Sequence, residues 1–228
     1  MDIRTYNGLA GAAQAHGLVV IIDVFRAFTT ACYVLAQRPT AYLLAGGCTT
    51  ARRLGLGRPD TLLIGKPEPG SDLVYDIPNS PTRALSIPIR GRTVIHRTAA
   101  GARGVLAAQH ADAVLVAGFA NAAATVRYIQ ALSPAFVSLV AMGHEGTTPA
   151  LEDDLCAACL AASLTAEPFD LTPHLASVRQ TSGAYFVGSA QDEYPVEDFD
   201  RCLTLDSYPY ALRAEQFGDY ARISRAGV

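Results

Sequence analysis

The sequence predicts a three-layer α/β/α fold on a mainly parallel sheet, with a smaller C-terminal α/β portion. Three observations carry that prediction. Short apolar runs alternate with helix-like segments at least five times between residues 18 and 163, the order expected of βαβ units. The runs are β-branched and nearly continuous, as in strands buried on both faces. Polar residues gather just past the ends of these runs, where open parallel sheets bind ligands.

Residues 18–22 (Leu-Val-Val-Ile-Ile) form the first expected strand, closed by Asp23. A helix over 26–37 follows and Pro39 ends it. A strand over 41–45, a helix over 49–56 and a strand over 61–65 come next. The stretch 66–81 is rich in Pro, Gly, Asp and Ser and reads as a long loop, a type that is often functional. Asn79 and Ser80 precede Pro81 there, a helix start with proline in the first turn. Strands over 93–96, 113–117 and 136–142 then alternate with helices over 98–109, 120–132 and 151–163. Beyond residue 165 the pattern weakens to short apolar pieces at 175–178, 184–187 and 202–205. The expected division is a main domain over 1–164 carrying the crevice and a smaller portion over 165–228 packed on it.

Composition excludes several classes. With 228 residues, 50% hydrophobic and 17% charged, the chain is unlike a disordered or low-complexity sequence. Nineteen glycines are too few for a collagen repeat. A net charge of −3 gives no basic field for nucleic acid. Five cysteines without regular spacing are no disulfide framework and fit a reduced, cytoplasmic setting. Residues 1–17 lack a basic region followed by an apolar core, and no run approaches ~20 apolar residues, so neither a secretory address nor a membrane span is expected. A homodimer is left open.

The residues past the strand ends suggest the chemistry. Asp23 and Arg26 follow the first strand; Lys66, Asp76, Asn79 and Ser80 follow the third. His96, Arg97, Thr98 and Gly101 follow the fourth, and Asn121 the fifth. His144, Glu152 and Asp153 follow the sixth. Cations and carboxylates on one edge suit a small anionic, phosphorylated substrate with Mg²⁺, because carboxylates hold Mg²⁺ and Arg, Lys and helix N-termini hold phosphate. Lys66 is the only lysine among 18 basic residues. Asp23 would equally cap the next helix, and Glu152 and Asp153 would equally complement a helix dipole. Cys156 and Cys159 form a CxxC inside an apolar helix with no second ligand pair, which is too little for zinc. No phosphate-binding P-loop and no dinucleotide fingerprint occurs. Phe25 stands where haloacid-dehalogenase-type phosphatases carry a second Asp.

Four motifs in order resemble one family, the Mg²⁺-dependent 2-phosphosulfolactate phosphatases of coenzyme M biosynthesis. They are Val20-Ile-Ile-Asp-Val-Phe-Arg-Ala-Phe-Thr-Thr30, Tyr75-Asp-Ile-Pro-Asn-Ser-Pro81, Gly118-Phe-Ala-Asn121 and Leu151-Glu-Asp153. The departures are Arg97-Thr-Ala-Ala-Gly-Ala102 in place of the family's Thr-Thr-Asn-Gly-Thr, Pro78 for Gly, and Lys66 for Glu. The last reverses a charge, either removing a metal ligand or adding a phosphate contact. The resemblance implies a phosphomonoester hydrolase. Asp23, Glu152 and Asp153 are its candidate metal ligands, with Asp23, Asp76 and Glu152 as catalytic candidates. Arg26, Lys66, Asn79, Ser80, Arg97, Thr98, Gly101 and Asn121 would bind substrate, the amides near Gly101 cradling an oxyanion. Direct water attack and an aspartyl-phosphate at Asp23 both remain open. So do a non-catalytic anion-binding protein on the same fold and a hydrolase using His96 or His144 as base.

Overall fold

Every second residue of the first expected strand meets a different side of the protein. Val19 and Ile21 pack into one apolar cluster, while Leu18, Val20 and Ile22 pack into another. That is the two-residue period of a strand buried on both faces. At about 1.5–3 kcal/mol for each fully buried aliphatic side chain, this run anchors the sheet.

The computed structural model describes residues 1–66, 68 and 70–227. Pro67 and Pro69 of the expected long loop, and Val228 at the end of the expected C-terminal portion, lie outside the described residues. In chain order the elements begin with β1 (Asp2–Asn7), α1 (Gly8–Gln14), β2 (His16–Ile22), α2 (Ala27–Ala36), β3 (Ala41–Ala45) and α3 (Cys48–Gly55). Then come β4 (Thr61–Ile64), α4 (Pro81–Leu85), β5 (Thr93–Arg97), α5 (Gly101–Ala107), β6 (His110–Ala117), α6 (Ala122–Leu132), β7 (Phe136–Ala141) and α7 (Leu151–Leu164). The chain closes with α8 (Leu175–Gln180), α9 (Glu197–Leu203), β8 (Ala211–Phe217) and β9 (Tyr220–Ala226). Ser80 caps α4 through its hydroxyl, which accepts the Arg83 N–H at 3.1 Å, with Pro81 in the first turn.

The α/β reading holds, and the mostly parallel sheet has nine strands in the order β1-β7-β2-β6-β8-β9-β3-β5-β4. Two parallel blocks, β1-β7-β2-β6 and β3-β5-β4, are joined by the antiparallel β8–β9 hairpin. Three antiparallel pairings in succession make the second block run opposite to the first. Five strand-to-strand steps separate β2 from β5, yet the end of β2 meets the segment after β5: the Gly101 N–H reaches Asp23 at 3.0 Å.

The helices cover both faces. Phe28, Ala31 and Val34 of α2 and Ala102 and Val105 of α5 share one cluster with Tyr42, Leu44 and Val116. On the other face Val126 of α6, Leu155 and Leu160 of α7 and Phe199 of α9 pack against Leu115, Val137 and Leu139. The C-terminal pieces at 175–178 and 202–205 fall in or at the ends of α8 and α9, and 184–187 is a 3₁₀ turn. No helix among the described residues is long and apolar enough to cross a membrane.

Candidate functional site

β2 ends at Ile22, and the next side chain, Asp23, is 6% exposed. Its Oδ1 accepts the Ala27 N–H at 3.1 Å and its Oδ2 accepts the Gly101 N–H at 3.0 Å. One carboxylate thus caps the first turns of α2 and α5. The approach is close enough that a Cβ on Gly101 would lie 2.9 Å from Asp23 Oδ2 and 2.9 Å from Phe28 Cζ. Burial outweighs the two amides and the nearby Arg26 and pushes the Asp23 carboxyl up to about 6.

Asp153, in the first turn of α7, does similar work between strands. Its Oδ1 accepts the Val24 N–H and its Oδ2 the Gly143 N–H, both at 2.8 Å. It therefore ties the end of β2 to the end of β7. Gly143 has φ +66°, and a Cβ there would stand 2.2 Å from the Thr148 carbonyl oxygen, so the turn requires glycine. Burial, then Glu152 and Asp23, hold the Asp153 carboxyl well above its usual range. Glu152 is 4% exposed, and its Oε2 has no hydrogen-bond partner. The Ser182 hydroxyl stands near it outside hydrogen-bonding geometry and is also unpartnered. Burial chiefly, with Asp23 and Asp154 adding to it, pushes Glu152 up to about 7.

The basic residues are engaged unequally. Arg26 Nη1 donates to Asp198 Oδ2 at 2.6 Å and to the Glu193 carbonyl at 2.8 Å, and its guanidinium lies 4.7 Å from the Tyr194 ring centre. Asp198 is fully buried, and its Oδ1 accepts the Thr82 N–H at 2.9 Å. Arg97 pairs with Glu68, its Nε is buried without a partner, and burial lowers its pKa. Lys66 is exposed and makes no ion pair among the described residues.

These groups surround two adjoining hollows. The first, of ≈ 240 Å³, is lined by Asp23, Arg26, Lys66, Asn79, Arg97 and Thr98, with Ala99 and Ala100 beside them. The second, of ≈ 400 Å³, is lined by Glu152, Asp153, Thr181 and Ser182. Phe25, Gly143, His144 and Tyr185 border both. The Asn79 Oδ1 is buried and unpartnered.

Four expected site residues stand outside these hollows. Asp76 is exposed, and its Oδ2 accepts the Leu63 N–H at 2.7 Å, pinning the loop to β4. Ser80 is the cap of α4. Asn121 closes its own turn, its Oδ1 accepting the Gly118 N–H at 3.1 Å and its Nδ2 donating to the Val116 carbonyl at 3.3 Å. The Gly101 amide, expected to cradle an oxyanion, is committed to Asp23. His96 is buried beneath the site, with Nδ1 against the Tyr42 hydroxyl, and burial lowers its pKa to about 3. Sequence reasoning missed Phe25, Tyr185, Glu193, Tyr194 and Asp198. Three of them line the first hollow from the segment after residue 183. The available signal there was a cluster of aromatic and acidic residues between Tyr185 and Asp198.

The donor set for a cation is narrower than three carboxylates. Among the described residues no three His, Cys, Asp or Glu side chains converge on one point. Each oxygen of Asp23 and of Asp153 accepts one amide hydrogen, whereas Glu152 Oε2 accepts none. Mg²⁺ is commonly held by one or two carboxylates together with substrate phosphate and water, which Glu152 fits, with Asp23 at the adjoining hollow as the second candidate.

Comparison with known proteins gives one direction. A family model for 2-phosphosulpholactate phosphatase matches residues 4–188. A "Probable 2-phosphosulfolactate phosphatase" of Bacillus subtilis (strain 168) is 24% identical, over 99% of both chains. A protein of the same name from Thermus thermophilus is 30% identical over 86% of this chain and 78% of its own.

Proposed function

The chain belongs to the 2-phosphosulpholactate phosphatase family, and from that premise we propose that it hydrolyses the phosphomonoester of a small hydroxy acid of the 2-phosphosulfolactate kind, with Mg²⁺. The observation that carries the proposal is the meeting of Arg26, Lys66 and Arg97 with Asp23 in one hollow, next to a buried Glu152 whose Oε2 lacks a partner. Asp23 and Glu152 would hold the cation. Bound there, Mg²⁺ would polarise the phosphoryl group and acidify a water.

The remaining roles belong to the protein's own side chains. Lys66 offers a compact ammonium to phosphate oxygens, and Arg97 a guanidinium to the phosphoryl or carboxylate end. Arg26 is held by Asp198 and the Glu193 carbonyl through one amino group, so its guanidinium is fixed at the wall of the hollow. Asn79 would meet a hydroxyl or water through its unpartnered Oδ1. Asp153 positions the end of β2 rather than touching substrate. Each Asp23 oxygen already accepts an amide hydrogen, which supports attack by water over attack by Asp23 itself.

Phosphate release from 2-phosphosulfolactate, measured on metal-stripped protein with and without added Mg²⁺, tests the proposal. Turnover that requires the cation is expected. No turnover in either condition would favour a non-catalytic anion-binding protein.

A further inference from the structure

Arg26 and Asp198 lie 172 residues apart in sequence, yet they form an ion pair in which their side chains are 5% and 0% exposed. Two charges withdrawn from water cost the fold energy unless their hydrogen bonds are made. Both oxygens of Asp198 are engaged: Oδ2 accepts from Arg26 Nη1 at 2.6 Å, and Oδ1 accepts the Thr82 N–H at 2.9 Å. Arg26 is engaged on one side only. Its Nη1 donates to Asp198 and to the Glu193 carbonyl, while Nε and Nη2 donate to no described residue. Nε and Nη2 share one edge of the planar guanidinium, and such an edge takes both oxygens of one carboxylate or phosphate. The Tyr194 and Phe186 rings stand 4.7 and 5.7 Å from the guanidinium carbon and restrict it further. Arg26 lines the first hollow and Asp198 does not. Asp198 belongs to the first turn of α9, beyond residues 4–188 that the family model matches.

We propose that Asp198 is a positioning residue for the phosphatase reaction: without touching substrate, it holds Arg26 so that the Nε–Nη2 edge of the guanidinium grips an oxyanion in the first hollow. This role rests on the phosphatase reading and adds to it a residue of the C-terminal segment. An arginine side chain has many rotamers, and that freedom must be lost before a two-pronged contact forms. The pair with Asp198 removes it during folding rather than at binding. Thr82 anchors the carboxylate in turn, so the guanidinium is set from the backbone at the start of α4. The pair carries no net charge. Arg26 therefore contributes direction, whereas Lys66, in no ion pair among the described residues, contributes charge.

A double-mutant cycle on Asp198→Asn and Arg26→Ala tests this role. It is read as binding of inorganic phosphate by calorimetry and as kcat/KM for 2-phosphosulfolactate, both with Mg²⁺. Asparagine fills the same space, but its single acceptor oxygen serves Thr82 or Arg26 and not both. In the wild-type background Asp198→Asn is expected to weaken phosphate binding and lower kcat/KM by roughly tenfold or more, the scale of one hydrogen bond to a charged group. In the Arg26→Ala background the same substitution is expected to change both by less than about twofold, because the group it positions is gone. An equal loss in both backgrounds would make Asp198 a structural residue only and overturn the proposal, as would wild-type affinity in folded Asp198→Asn. If Asp198→Asn does not fold, Arg26→Ala with added guanidinium ion decides. Seated between Asp198, the Glu193 carbonyl and Tyr194, the free ion is expected to restore phosphate binding by roughly fivefold or more, and methylammonium is not. No rescue by guanidinium would overturn the proposal. Failure of the phosphatase reading shows separately, as no turnover by the wild type, and the phosphate cycle then still decides the role of Asp198. A wild type that binds no phosphate would overturn both.

Discussion

Lys66, the only lysine of the sequence, stands where the resemblance sets an acidic residue. Its ammonium lines the first hollow and is unpaired among the described residues, whereas Arg26 and Arg97 both face carboxylates. Lys66→Ala should weaken phosphate binding by roughly 1.5–3 kcal/mol, the scale of a hydrogen bond to a charged group. Lys66→Glu should weaken it further. Calorimetric titration of inorganic phosphate with Mg²⁺ present measures both, and tighter binding by Lys66→Glu than by Lys66→Ala would mean that an acid at this position still acts through metal. The buried acids give a second expectation at this scale. Asp23 and Glu152 are held up at about 6 and about 7 by burial. Raised acids bind more protons folded than unfolded, so the stability they contribute is present below pH ~4 and is lost as pH rises through 6 to 7. A cation that binds both carboxylates competes with those protons. Mg²⁺ should therefore raise the urea midpoint at pH 8 and have little effect at pH 5. The same Mg²⁺ increment at both pH values would contradict the assignment of this pair.

At the scale of elements, two short acidic side chains join structures far apart in sequence. Asp23 bridges the starts of α2 and α5, and Asp153 bridges the ends of β2 and β7. Asp153→Ala would leave the Val24 and Gly143 amides without acceptors, at about 1–3 kcal/mol each. A lowered urea midpoint in a still folded protein is expected, and an unchanged midpoint would show that water replaces the carboxylate. The sequence made the central elements legible because their apolar runs are strong: β2, β3, β5, β6 and β7 all stand where strands were expected. The edge strand β1 was not legible, because Asp2–Asn7 is largely polar and mostly exposed. The β8–β9 hairpin was missed for another reason. Its alternation is carried by small residues, with Ala211, Ala214 and Ala221 buried beside Leu212 and Ile223, so its periodicity is faint. Gly218, at φ +66° between Phe217 and Asp219, was the turn signal that marked it.

At the scale of the whole molecule, the β8–β9 hairpin lies between the two parallel blocks. It reverses the second block of strands, and the segment after β5 meets the end of β2 at Asp23 and Gly101. Of the residues picked out by the rule that ligands gather past strand ends, Asp23, Arg26, Lys66 and Arg97 line the first hollow and Glu152 the second. Asp76, Ser80 and Asn121, picked out by the same rule, accept nearby backbone amides and line neither hollow, because polar side chains at strand ends also serve their own turns. The rule could not reach Tyr185 or Tyr194, which line the first hollow from a segment that follows no strand, nor Asp198, which holds Arg26 from behind. The central claim is that this cleft hydrolyses a phosphomonoester around Asp23. The measurement that tests it most directly is phosphate release from 2-phosphosulfolactate, with Mg²⁺, by the wild type and by Asp23→Asn, each checked for folding by circular dichroism. The account predicts steady turnover by the wild type and a loss of at least a hundredfold in a folded Asp23→Asn protein, the scale of removing a positioned acid–base or metal-binding group. Wild-type turnover by folded Asp23→Asn would contradict it.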